Sequence, residues 1–375
     1  MTAASTPEAD SRRASPAAAR AVAEDARLRR RFVLGLAALI LLLLGGATVA
    51  MALGAVRVPL GEVWSIIGAH VTGVATPDSS SPNDAIIWQI RAPRVVLALL
   101  VGAGLSITGV AVQAMVRNPL ADPYVMGVES GAAAAAVAAI FLARHSAEDA
   151  PVIPPTIAAF AGALATIVLV FGIARRGGSV SSLRLLLVGV AVSYALSGVT
   201  SFFLYASPDP GAQAQVLFWI MGGLGGAEWS TIPIAEPIHV VGFVAIWYHA
   251  RPLNALSLGD DSAASLGMRP DRLRTRLLVI CALMVATLVP LVGPIGFVGL
   301  VVPHIGRLLF GADHRRLIPA AVLLGGLYLL LVDLVARIVF APSEVPIGVV
   351  TSILGAPFFL VLLQRRGSSA LGDAR

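Results

Sequence analysis

The chain contains no lysine. All 27 basic residues among its 375 are arginine, so a phosphate loop ending in GKS or GKT cannot exist here. Charged residues of both signs make up only 13% of the sequence. A soluble domain of this size with so little charge would expose large apolar patches. Cysteine occurs once, at Cys281 inside an apolar run, which excludes an internal disulfide and reads as a small packed residue. The sequence has no HExxH, CxxC or GxSxG pattern and no clustered carboxylates. No metal site, cofactor site or nucleophile–base pair is therefore indicated, and the expectation is a chain that performs no covalent chemistry.

What is present is apolar. Hydrophobic residues are 57% of the chain, and the mean hydropathy is +0.85. This composition reads as an all-α polytopic membrane protein and speaks against a soluble nucleic-acid binder, despite a net charge of +6. Residues 1–31 are rich in Ala, Ser, Pro, Arg and acids and read as a disordered tail. The apolar run behind them, about 22 residues, suits a retained span better than a cleaved leader. Ten candidate spans follow: 32–53, 93–116, 124–142, 152–173, 184–205, 231–249, 277–293, 296–310, 317–340 and 346–363. The eighth is short and interrupted by glycine. Residues 32–364 thus form the membrane domain, and 365–375 a second tail.

Arginine distribution orients the chain. With the N-terminus cytoplasmic, 22 arginines fall on the inner side and five on the outer: Arg57, Arg91, Arg94, Arg144 and Arg337. Inner excess of this kind is the usual asymmetry of membrane proteins. Both termini are expected in the cytoplasm of a cell-membrane protein. Ten spans make two halves of five, and if the halves share a fold, an odd number of spans per half requires them to be inverted relative to each other. Small residues recur through the spans, as in "VGAGLSITGVAV" (101–112), where they let helix backbones approach closely.

Few residues break the apolar pattern. Asp333 and Arg337, spaced i,i+4, can pair on one helix face. Counting about 1.5 Å per residue from Leu317 places Arg337 roughly 30 Å along, at the outer interface. His304 follows Pro303 and reads as a packing residue. "VRNPLADPYVMG" (116–127) is a stiff inner turn, since Asn-Pro and Asp-Pro break helices on both sides of Leu120. The polar stretch "LSLGDDSAASLGM" (256–268) lies between two apolar runs on the inner side. A proton- or sodium-coupled secondary transporter is the alternative reading, but it needs acids near the midplane, and none is evident.

Seven segments together resemble the membrane subunit of a type II ABC importer, in the permease family for iron-siderophores, haem and cobalamin. They are "RAPRVVLALLVGAGLSITGVAVQAMVRNPLADPYVMGVESGA", "LRLLLVGVAVS", "WIMGGLGGAEW", "ALSLGDDSAASLGM", "GPIGFVGLVVPHIGRLLFGADHRRLIPA", "LVDLVARIV" and "SEVPIGVVTSILGAPFFLVLL". They occur in the family's order across residues 56–364.

The resemblance implies ten spans, ATP hydrolysis on a separate cytoplasmic ATPase, an extracytoplasmic binding protein and a second permease subunit, identical or paralogous. It implies a ferric siderophore as cargo, with haem and cobalamin next. It makes 260–266 and 270–274 a pair of short coupling helices, contacting the ATPase through Asp260, Asp261, Ala263, Ala264, Leu266 and Gly267. It makes Arg91, Arg94 and Arg337 a docking patch for acidic residues of the binding protein. Asn118, Leu120, Ser182 and Leu183 match the family's cytoplasmic gate.

Overall fold

The computed structural model describes residues 16–73, 81–145, 153–176, 179–180, 182–207, 209–341 and 343–372. The described residues are helical apart from connections and a two-residue antiparallel pair, β1 (Arg175–Arg176) with β2 (Ser179–Val180). Helix α1 (Pro16–Ala52) is followed by α2 (Leu60–Thr72) and a short α3 (Pro82–Asp84), which passes through a π-helical turn at Ala85–Arg91 into α4 (Ala92–Val116). A 3-10 turn at Pro123–Met126 leads to α5 (Val128–His145), then α6 (Pro155–Ala174), α7 (Ser182–Ala206) and α8 (Pro210–Ile220). The second half holds α9 (Ile232–Tyr248), α10 (Ala250–Leu258), α11 (Asp260–Ser265), α12 (Pro270–Val292), α13 (Val298–Phe310), α14 (His314–Ile338) and α15 (Ile347–Gly372).

Among the described residues, six helical segments are long and apolar enough to cross a bilayer: Ala26–Ala52, Pro82–Val116, Pro155–Ala174, Leu183–Ala206, Pro270–Val292 and His314–Ile338. Four shorter apolar helices, Val128–Ala143, Ile232–Tyr248, Val298–Phe310 and Ile347–Leu362, fall on the remaining candidate spans. Two boundaries differ from the sequence reading. Helix starts at Pro16, inside the stretch read as a tail, and α15 continues to Gly372. Residues 1–15 and 373–375 lie outside the described residues.

The packing shows how the halves fit. The second apolar helix of the first half, α4, packs on the third and fourth of the second half, α13 and α14. The second helix of the second half, α12, packs on α5 and α6. This exchange is what two inverted five-helix halves produce. Glycines make the central crossings possible. A Cβ on Gly102 would overlap the carbonyl oxygen of Gly325, and one on Gly109 that of Gly299. Backbones can touch this closely only where no side chain stands between them.

Helix α13 is short for a physical reason. Its 13 residues span about 20 Å, against roughly 30 Å of hydrocarbon. The chain between α12 and α13 is irregular, with Phe297 left-handed at φ 67°. Such backbone persists at membrane depth only when the protein satisfies its polar groups. Here the Ile295 N–H donates to the Tyr124 hydroxyl (3.2 Å), the Gly223 N–H to the Val292 carbonyl (2.8 Å), and Gln113 Nε2 to the Gly299 carbonyl (3.1 Å).

Candidate functional site

At the end of the bundle opposite Arg29, three arginines converge. Arg91 ends the π-helical turn before α4, Arg94 lies in the first turn of α4 and Arg337 in the last turn of α14, so two antiparallel helices present them to one another. Arg94 Nε lies 2.8 Å from Asp333 Oδ1, and its Nη1 donates to both carboxylate oxygens of Glu344 at 2.9 Å. Arg337 Nε sits 3.0 Å from Asp333 Oδ2, and its Nη2 donates to the Ala50 carbonyl at 3.1 Å. Arg91 donates to the carbonyls of Met51 and Val56. The structure therefore brings the three arginines together but turns them inward. They are 5–7% exposed, and their donors staple the end of α1 to α4 and α14. The expected open patch of guanidinium groups is absent from these three side chains, because folding has already used their hydrogen bonds. The Asp333–Arg337 pair also differs from a helix-end pair at the interface, since Asp333 is fully buried.

At the arginine-rich end, α10 and α11 form the polar stretch between α9 and α12. Gly259, at φ 125°, turns the chain between the two short helices. Gly267 then ends α11 in a Schellman arrangement: it is left-handed at φ 78°, its N–H donates to the Ala264 carbonyl (2.9 Å), and the Met268 N–H to the Ala263 carbonyl (3.2 Å). Buried Arg274 fixes the orientation of α11. Its Nη2 donates to Asp260 Oδ1 at 2.8 Å, and its Nε to the Met115 carbonyl at 3.2 Å. Ala263 is fully buried in the chain's own core, whereas Asp261, Ala264, Leu266 and Gly267 face outward. Leu258 and Leu266 leave two large apolar side chains exposed on the surface of this segment, at 76% and 68%. Residues 270–274 are not a separate short helix but the first turn of α12.

The turn after α4 is held by its own side chain. Arg117 is left-handed, the Leu120 N–H donates to Asn118 Oδ1 (2.9 Å), and the Ala121 N–H to the Asn118 carbonyl (3.1 Å). This Asx turn leaves Asn118 and Leu120 half-buried. Leu183 is exposed in the first turn of α7, and Ser182 starts that helix with its side chain outside the described part. The loop following Asn118 then runs back into the bundle, where Asp122 accepts from the Tyr124 N–H at 2.8 Å.

Between α5, α8, α15 and the irregular 293–297 segment lies an open cleft of about 430 Å³. Glu129, in the first turn of α5, lines it with Met221, Pro294, Val349 and Ser352. The cleft wall is built by backbone pairing: the Ile347 N–H donates to the Gly222 carbonyl (3.0 Å), and the Gly348 N–H to that of Met221 (3.1 Å).

The profile of the FecCD transport family matches residues 16–365. The chain belongs to that family. The permease is 41% identical over 331 residues to the cobalamin import system permease of Halobacterium salinarum, covering 87% of this chain and 86% of that one. It is 37% identical to the hemin transport system permease of Yersinia pestis, covering 93% and 100%. A solved metal-chelate type ABC transporter in an inward-facing conformation superposes with a TM-score of 0.75 at 31% identity, covering 88% of the permease and 98% of that chain.

Sequence reasoning missed Glu129 in the permease. An acid in the first turn of a helix has an ordinary explanation, interaction with the helix dipole. Only the packing of α8, α15 and 293–297 around it makes it the carboxylate of a cleft. Among the described residues it has no hydrogen-bond or ion-pair partner. His304 is buried edge-on to Phe358, with ring centroids 6.2 Å apart.

Proposed function

We propose that this permease is the membrane subunit of an ATP-driven importer for a bulky metal chelate, a ferric siderophore, haem or cobalamin. Its membership of the FecCD family, over nearly the whole chain, carries this reading. The relatives named for cobalamin and hemin support the chelate class. Both termini lie in the cytoplasm, on the strength of the 22-to-five arginine asymmetry.

In this reading the outward face of α11, with Asp261, Ala264, Leu266 and Gly267, seats on a cytoplasmic ATPase. Asp260, paired with Arg274, fixes the orientation of the helix, and Ala263 packs it from beneath. A separate binding protein docks at the opposite end. Its rim includes exposed Arg57 and Glu344, over the framework of Arg91, Arg94 and Arg337. A second permease subunit completes the pore, and the cleft beside Glu129 lies on the path of the cargo. Asn118, Leu120, Ser182 and Leu183 close its cytoplasmic end. ATP-driven closure of the ATPase moves α11, and the spans reorient to alternate access.

The test is uptake into proteoliposomes that hold the permease with its ATPase, loaded from outside with binding protein and one of the three chelates. ATP-dependent accumulation of one chelate supports the reading. Accumulation driven by a proton or sodium gradient without ATP would sink it.

A further inference from the structure

A groove of about 800 Å³ opens at the arginine-rich end, between the start of α1, the end of α9, α10 and the start of α14. Four guanidinium groups line it, those of Arg29, Arg251, Arg315 and Arg316. One carboxylate, Asp313, faces them. Burial raises the Asp313 carboxyl, but the Asn254 amide, the Arg315 N–H and the charges of Arg315 and Arg316 outweigh that and hold it below its ordinary value. Its Oδ1 accepts from Asn254 Nδ2 at 2.8 Å and from the Arg315 N–H at 3.0 Å. Asp313 therefore stays ionised as the cap of α14, and Arg251 and Arg315 alone already outnumber it, leaving the groove with an excess of positive charge.

The groove straddles the boundary between polar and apolar surface. Arg29 stands one turn before Phe32, where the apolar run of α1 begins, and Phe32 also lines the groove. Trp247 and Tyr248 close α9 at the same level, Tyr248 being 82% exposed. Tryptophan and tyrosine at such a level mark the headgroup region of a bilayer. Beyond them the surface turns apolar and open, with Leu34 on α1 and Val240, Val241 and Val244 on α9 all more than half exposed. A soluble anion would use only the arginines. A lipid would use both parts.

We propose that this groove binds the phosphate headgroup of an anionic phospholipid, whose acyl chains lie along the exposed faces of α1 and α9. Guanidinium forks match phosphate oxygens in geometry as well as charge, and basic pockets between spanning helices are suited to such headgroups. The site is separate from the cleft and from α11, so it stands whatever cargo the permease carries.

The test is native mass spectrometry of the full-length protein in neutral detergent, titrated with phosphatidylglycerol, phosphatidylcholine or inorganic phosphate. Wild type should retain phosphatidylglycerol selectively over phosphatidylcholine, and equimolar inorganic phosphate should not displace it. The double variant R251Q/R315Q should retain it roughly ten- to thirtyfold more weakly, as expected for losing two cationic contacts near an anionic surface. The R251K/R315K pair keeps the charge and should fall between, which separates the site from misfolding. A control pair on exposed arginines elsewhere at this end, R272Q/R276Q, should match wild type. Equal retention by R251Q/R315Q and wild type would overturn the proposal. So would displacement by inorganic phosphate at equal concentration, which would mark a soluble-anion site.

Discussion

Arg94 of α4 and Asp333 of α14, 239 positions apart in sequence, meet at 2.8 Å in the buried end of the bundle. Arg337 takes the other carboxylate oxygen. One acid thus holds two guanidinium groups, and the cost of burying these charges is met by mutual pairing and backbone carbonyls.

Removing that acid should be severe. Asp333→Ala leaves Arg94 and Arg337 with only part of their partners, and breaking a buried pair costs about 3–5 kcal/mol. Thermal unfolding of the purified protein should show a large loss of stability, and Asp333→Asn a smaller one. The same geometry predicts that Arg94→Glu reduces folded yield, beyond any effect on association with a binding protein. Wild-type stability for both Asp333→Ala and Arg94→Glu would refute the structural role of the pair.

Ala263 and Ala264 should separate folding from partner binding. Ala263 is fully buried, and a tryptophan there overpacks the chain's own core, at a cost of about 1–3 kcal/mol. Ala264 faces outward, so Ala264→Trp should change stability by no more than about 0.5 kcal/mol yet abolish co-purification of the ATPase. Thermal melts and pull-downs on both variants decide it. Normal ATPase retention by Ala264→Trp speaks against α11 as the coupling surface.

The turn at Asn118 should matter for tightness. Leu120→Gly removes bulk from a backbone fixed by the Asn118 side chain, and Asn118→Ala removes the fixing bond itself. Vesicles reconstituted with either variant should leak a small dye, or hydrolyse more ATP per chelate imported. Tight vesicles with wild-type coupling would remove the gate assignment.

Glu129 should act on cargo charge rather than on folding. Glu129→Gln keeps the shape of the cleft and removes the one carboxyl in its lining that can carry a negative charge; in a site of reduced dielectric, repulsion of an anion by the ionised form is stronger than in water. Uptake of an anionic chelate should rise severalfold relative to a neutral one, with thermal stability unchanged. An unaltered preference would show that cargo does not pass near this carboxylate.

The α4–α14 crossing should tolerate almost nothing. A side chain at Gly102 meets the backbone of Gly325, so Gly102→Val should lower stability by about 1–3 kcal/mol. A thermal melt indistinguishable from wild type would mean that the helices can separate freely at this point.

Length, hydropathy and glycine placement determined much of this protein from the sequence alone. Ten apolar segments, the odd number per half and the short eighth span at 296–310 all follow from the hydrocarbon thickness and the rise of a helix. Seven motifs in order carried the family. Tertiary structure decided which way each side chain turned. A spanning helix that is apolar on nearly every face has no stripe to mark its inner side, so its rotation is not written in its own pattern. Arg91, Arg94 and Arg337 therefore read as outward charges until α4, α14 and the end of α1 close around them. Ala263 reads as surface until Arg274 pins α11 down, and Glu129 reads as a dipole partner until three other segments build a cleft beside it. The atoms that decide the arginines and Glu129 come from segments distant in sequence, and Arg274, 14 positions from Asp260, is itself anchored on the Met115 carbonyl of α4, so only packing brings them together.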